Sequence, residues 1–386
     1  MATALAPVEE RVLATTPPEP RSRRRRAYEL DLVRLVAAVL VVLYHYTWDG
    51  WSASNASPVR YTSGLTTFTR YGFLGVELFF LISGMVILTS ATGRTPRQFA
   101  VSRFVRLYPV YWAMVTLTFV VTGVWGTHRL DVGIGDWAAN LTMVEQLVPG
   151  RHHVHLVDGA YWTLTVELVF YALIWVTLMT RQLPRIVPVL SLWLAVSALV
   201  EVAGVGPLAG MRLYAATEYA PFFVAGACCS LIGVDRRRRS AWVLLGAATV
   251  LALHQTFIVV RGADLRIPGA TYHPLVGPIV VLLSIGLVLA IALGRLRGLA
   301  RPWMMTAGML TYPLYLVHQY VGFVLFHHFR HLDPWILLVG VSAVVTAIAW
   351  LAHRLVERPL APRLRRALEP RSRACSAAAG GPPADR

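Results

Sequence analysis

The chain has 386 residues, of which 56% are hydrophobic and 15% charged, with a mean hydropathy of +0.56. Soluble domains carry about 25% charged residues, so the composition excludes an ordinary soluble fold and describes a membrane protein. All 36 basic residues are arginine, which rules out lysine nucleophiles, and three cysteines (adjacent Cys228 and Cys229, and Cys375 in a polar tail) supply neither a disulfide framework nor a thiolate zinc site.

Residues 1–27 are rich in Pro, Glu and Arg, and 361–386 in Arg, Ala, Gly and Pro. Both are too polar to bury a core and are expected to be disordered cytoplasmic tails around a membrane domain over 28–360. The first apolar run has a basic flank like a signal peptide, but LYHYTWDGW follows it where a cleavage site would stand, so it is expected to remain as an anchor. Ten stretches approach the about 20 apolar residues of a spanning helix: 30–48, 73–91, 107–126, 161–180, 186–203, 213–233, 241–260, 275–294, 306–328 and 335–353. The sixth is interrupted by Glu218 and Pro221. With the first tail inside, 27 of the 36 arginines fall in the tails and even-numbered loops. That asymmetry is what the positive-inside rule demands. The expected fold is therefore an all-α polytopic protein of about ten transmembrane helices with both termini cytoplasmic. The net charge of +16 encodes topology, and nucleic acid is not an expected partner. The loops over 49–72 and 127–160 are expected to form a small outer lid.

Ionisable groups within spans mark function by default, because each needs a partner or water. In the first span, Arg34 and His45 are eleven residues apart, close to three helical turns, and are expected to line one channel. Asp49 follows His45 by four residues, where its carboxylate is placed to orient the imidazole. A histidine suits general-base work on a hydroxyl; a structural histidine bonded to a neighbouring helix is the other reading. GVELFFLISG places Glu77 among aromatics, with Arg34 a candidate partner, and Ser83-Gly84 as a point of close helix approach. Arg103 and Arg106, in a short helix between spans before Pro109, form a fork suited to phosphates; ordinary positive-inside charge explains them equally. Glu167 lies two turns into the fourth span near Trp162, Phe170 and Tyr171, placed to pair with a base or to hold a sugar hydroxyl. Tyr315 and His318 share a face in the ninth span, and His353 with Glu357 reads as a structural cap and ion pair. RHHVH (His152, His153, His155) lacks further ligands, so no metal site is expected.

In this order, RLVAAVLVVLYHY, GVELFFLISGM, RFVR, YWTLTVELVFY, TYPLYLVHQ and VERP resemble the acyltransferase-3 family of integral-membrane O-acyltransferases. The resemblance implies transfer of an acyl group, usually acetyl, from acyl-CoA to a hydroxyl of a sugar-containing acceptor, in the inner (cytoplasmic) membrane and with no permanently bound cofactor. It implies catalytic roles for Arg34, His45 and Glu167 and donor handling by Arg103 and Arg106; Glu77, Trp162, Tyr315 and His318 are expected, from their placement in the spans, to contact substrate. His45 would act as general base or carry the acyl group itself. The acceptor classes that fit are exopolysaccharide, envelope glycan and a glycosylated natural product such as a macrolide. Glu77, Met85 and Thr163 depart from the family's usual residues. The competing reading from another class is a transporter using Arg34, His45 and Glu167 as a proton or solute pathway.

Overall fold

The computed structural model describes residues 28–52, 56–61, 63–127, 130–147, 154–203, 212, 214–266 and 272–369. Among these residues the secondary structure is entirely helical. The principal helices are α1 Tyr28–Tyr44, α2 Gly75–Ala91, α3 Pro96–Trp125, α4 Trp162–Met179, α5 Ile186–Ala203, α6 Ala220–Val234, α7 Arg239–Arg266, α8 Val276–Ala292, α9 Trp303–Val317, α10 Gln319–His328, α11 Pro334–Ala352 and α12 Arg358–Leu368. Among the described residues, seven helical segments, built on α1, α2, α3, α4, α5, α7 and α11, are long and apolar enough to cross a membrane. Helices α9 and α10 form one pair bent by 65°, and α6 and α8 are shorter apolar helices.

The shortness of α6 follows from its place. Twelve of its 15 residues are buried, so protein surrounds it on nearly every side. Glu218 lies before the helix, opposite Arg212 at 3.4 Å, and Pro221 occupies the first turn, where a missing N–H costs nothing. The expected interruption of this span is thus its start. Helices α2 and α6 touch backbone to backbone: a Cβ at Gly84 would overlap the Phe223 carbonyl, and one at Gly226 the Leu81 carbonyl. The close approach expected at Gly84 is present.

Three local expectations change. The Arg103–Arg106 segment is not a separate short helix. Thr95 and Gln98 close a capping box at the head of α3, Pro96 sits in its first turn, and one 30-residue helix runs through Pro109. Residues 361–368, expected within the polar C-terminal tail, belong to α12, whose end is held by Arg97 Nη2 donating to the Leu368 carbonyl at 3.0 Å. The 127–160 segment contains a helix, Ile134–Asn140, tied to α3 by the Tyr111 hydroxyl on the Asn140 carbonyl at 2.7 Å. His152 and His153 lie outside the described residues. Among the described residues, no three metal-ligating side chains converge.

Candidate active site

The centre of the site is a pair of histidines. Nε2 of His318 lies 3.1 Å from Nδ1 of His45. His45 Nδ1 is also 2.9 Å from the Val41 carbonyl, and His318 Nδ1 is 2.7 Å from the Tyr315 carbonyl. A carbonyl only accepts, so both Nδ1 atoms carry the proton. The one His45 Nδ1–H is then shared between the Val41 carbonyl and His318 Nε2, and Nε2 of His45 is left with its lone pair. An imidazole held in this way by a second group has the geometry a general base needs. His318 is fully buried behind it, while His45 is partly exposed.

The chain brings His318 there by breaking a helix. In a continuous helix Tyr320 N–H would bond the Leu316 carbonyl. Instead the Tyr161 hydroxyl takes that carbonyl at 2.9 Å, and Asp158 Oδ2 takes the Tyr320 N–H at 2.9 Å. The Tyr46 hydroxyl donates to the His318 carbonyl at 2.7 Å. Tyr161 and Asp158 thus satisfy the two groups the bend frees, while the Tyr46 bond adds to a His318 carbonyl that still accepts from Gly322 N–H at 3.1 Å. On the first helix, α1 passes into a π turn at His45–Asp49, a local form found often at functional sites. Beyond His45 lies an aromatic cluster: Tyr44 is 5.1 Å from the His45 ring, and Trp48 donates to the Tyr272 hydroxyl at 2.7 Å.

A cavity of about 1680 Å³ reaches into the helices from the other end of α1. It exceeds the about 300–1,000 Å³ of ordinary small-molecule sites. Glu167 lies on its wall and accepts hydrogen bonds from Ser83 and Tyr171, both at 2.9 Å. Ser83, assigned to packing by sequence, is therefore a ligand of this carboxylate. Arg34, Arg103 and Arg106 also line the cavity. Arg103 lies over the rings of Phe99 and Tyr171 and leaves its Nε buried without a partner. Arg106 bonds Glu357 at 2.6 Å, and Glu357 holds His353 at 2.8 Å, so the expected ion pair at the end of α11 extends to the fork. At its inner end the cavity stops at Tyr315, whose hydroxyl bonds Thr163 at 2.9 Å. The Tyr315 ring stands 5.5 Å from that of His318.

Several sequence expectations are corrected by these contacts. Arg34 and His45 do not line one continuous channel: Arg34 lies on the cavity wall, while Tyr315 and His318 stand between the cavity and His45. Arg34 pairs with Asp31 at 3.6 Å rather than with Glu77, whose Oε2 is buried without a hydrogen bond. Asp49 faces the Tyr44 hydroxyl, because the π turn shifts the register; the imidazole is oriented by His318. Expected to contact substrate, His318 has both ring nitrogens bonded inside the protein. Trp162, also expected to contact substrate, packs against Tyr219 at 5.0 Å and Phe80 at 6.3 Å and stays partly exposed. Asp158 was missed, although its place at the head of a helix is the usual N-cap signal.

Comparison with known proteins gives the arrangement its family. A family model described as an acyltransferase domain matches residues 27–354, most of the chain and every site residue above except Glu357. The chain belongs to the acyltransferase-3 family. It is similar to nodulation protein 10 of Rhizobium leguminosarum bv. viciae, 27% identical over 88% of this chain and 94% of that protein. It is also similar to the exopolysaccharide production protein ExoZ of Rhizobium meliloti (strain 1021), 28% identical over 76% of this chain and 91% of that one. No solved structure matches. This multi-span membrane acyltransferase places a histidine pair where a π turn meets a helix break, and a large arginine-lined cavity towards the other end of α1.

Proposed function

We propose that the protein transfers acetyl or another short acyl group from acyl-CoA to a hydroxyl of a sugar-containing acceptor. In this reading it spans the cytoplasmic membrane ten times with both termini inside, and the cavity opens to the cytoplasm. The observation that carries the reading is the bare Nε2 of His45, fixed by the Nδ1–H bond to His318. Acyl-CoA enters past Arg103 and Arg106, with Arg34 and Glu167 along its path, and Tyr315 yields to let the thioester reach His45. His45 Nε2 takes the acceptor's hydroxyl proton as that oxygen attacks the thioester carbonyl. The C–S bond breaks, and the departing thiolate recovers the proton from His45, giving an ester and free CoA. An acyl-imidazole route would use the same nitrogen and would release CoA in a burst without acceptor. The acceptor approaches from the aromatic cluster beyond His45, whose rings suit sugar faces. The exopolysaccharide relative makes a surface polysaccharide the first acceptor to test, ahead of an envelope glycan or a macrolide.

The test is His45→Ala in purified, folded protein, which should lower acyl transfer about 10²–10⁴-fold. A normal rate in that variant overturns the mechanism. Arg103→Ala with Arg106→Ala should raise the KM for acyl-CoA; an unchanged donor dependence returns both to topology. The acceptor is identified by the mass of envelope glycans from a deletion strain, which should lose an acyl increment.

A further inference from the structure

Six arginines line the cavity, and Arg103 among them lies against the rings of Phe99 and Tyr171 with no carboxylate in an ion pair among the described residues. Arg34 and Arg106 have carboxylate partners in Asp31 and Glu357. Arg94, Arg297 and Arg365 also line the cavity, and among the described residues no carboxylate forms an ion pair with them. They come from three distant parts of the chain: the turn between α2 and α3, the turn before α9, and α12. Arg94 is half-buried and faces the like charges of Arg103 and Arg365, with Glu369 the nearby carboxylate. Arg297 lies over Gly294, whose φ of +72° and lack of a side chain admit the guanidinium. Arg297 and Arg365 are exposed, so the cavity meets solvent at this end.

Membrane topology requires positive charge on one face; it does not require three segments to bring guanidiniums to one cavity mouth. Gathering like charges costs free energy unless an anion answers them. The molecule proposed above as donor carries its charge in two places: a diphosphate in the middle and a phosphomonoester on the ribose of its nucleotide end. Arg103 and Arg106 are partly buried and Arg297 and Arg365 exposed, with Arg94, itself partly buried, facing both Arg103 and Arg365; that gradient suits a donor whose two charged parts lie at different depths.

Resting on the acyl-CoA reading, we infer that Arg94, Arg297 and Arg365 form a separate site for the ribose 3′-phosphate of the donor, and that α12 is thereby part of the donor site. The site selects a nucleotide-tailed thioester over a shorter acyl donor.

The experiment measures binding of CoA and 3′-dephospho-CoA to the full chain in phosphatidylcholine nanodiscs, with adenosine 3′,5′-bisphosphate as competitor. Wild type should prefer CoA by roughly tenfold or more, the value of a charge-assisted hydrogen bond, and the bisphosphate should compete with CoA. Arg94→Ala with Arg365→Ala should abolish that preference. Arg366→Ala removes the same charge from the same helix but away from the cavity, and should preserve it. Equal loss in all variants, or a double variant that still discriminates, overturns the site. Loss of the preference when phosphatidylglycerol replaces half of the lipid, with no competition by the bisphosphate, reassigns the arginines to lipid headgroups and overturns it too. Absence of CoA binding by wild type instead overturns the donor reading, so the two failures differ.

Discussion

At the scale of single residues, the chemistry reduces to which nitrogen keeps a lone pair. Two carbonyls, of Val41 and Tyr315, decide it, because each demands a proton from the Nδ1 it faces. In the proposed mechanism His318 acts through His45, as a positioning residue. His318→Ala should lower kcat by roughly tenfold to hundredfold, less than the about 10²–10⁴ of losing the base, with the KM for acyl-CoA unchanged. His318→Gln keeps an acceptor and should recover part of the rate. Steady-state kinetics in detergent separates these outcomes, and a rise in KM equal to the fall in kcat would refute the role. His45, Glu167 and Arg34 were legible in the sequence because an ionisable residue in an apolar run is costly. Their partners were not: His45 and His318 are 273 positions apart, and local spacing favoured Asp49 instead.

The helices make the site by two devices, a break and a close contact. Asp158 holds the break, accepting from Ala160 and Tyr320 N–H, each at 2.9 Å. Its burial pushes the carboxyl pKa up to about 7, and the two backbone bonds pull the other way without winning. The folded state therefore holds this proton more tightly than the unfolded chain, whose Asp titrates near about 3.9. The stabilisation is complete below about pH 4 and is lost as pH rises through about 7. Glu145, raised to about 7 by burial, acts in the same direction. Asp158→Asn should flatten the fall in melting temperature between those limits and, with one acceptor oxygen lost, cost about 1 kcal/mol; a thermal-shift series over pH reads both. The close contact predicts a contrast between glycines. Gly226→Ala should cost about 1–3 kcal/mol by overpacking against Leu81, while Gly246→Ala, with no atom within 4 Å of the new Cβ, should be neutral in the same melt. If the two melt alike, the contact does not govern stability.

For the whole molecule, charge sets the orientation and burial sets the interior. The arginine asymmetry predicts that, in a cysteine-free background on intact cells, Arg60→Cys reacts with a membrane-impermeant maleimide and Arg237→Cys does not. The reverse pattern would invert the topology and move the cavity mouth to the outside. Composition and hydropathy made the helical membrane fold legible, and the extra-long α3 and buried α6 show where they stop. Apolar content marks a segment as hidden without saying whether lipid or protein hides it. The bend between α9 and α10 escaped for a related reason, since Tyr161 and Asp158, which hold it, belong to another stretch of chain.

The sequence by itself determined that the chain is a polytopic helical membrane protein, which ends carry its charge, and which apolar runs hold ionisable groups. These are properties of composition and of neighbours within a few turns. Tertiary structure alone decided that His318 rather than Asp49 orients His45, that Ser83 and Tyr171 hold Glu167, and that arginines from three separate segments meet at one cavity. Each is a contact across helices, and its energy depends on which backbones approach closely enough to exclude water and lipid, as α2 and α6 do at Gly84 and Gly226.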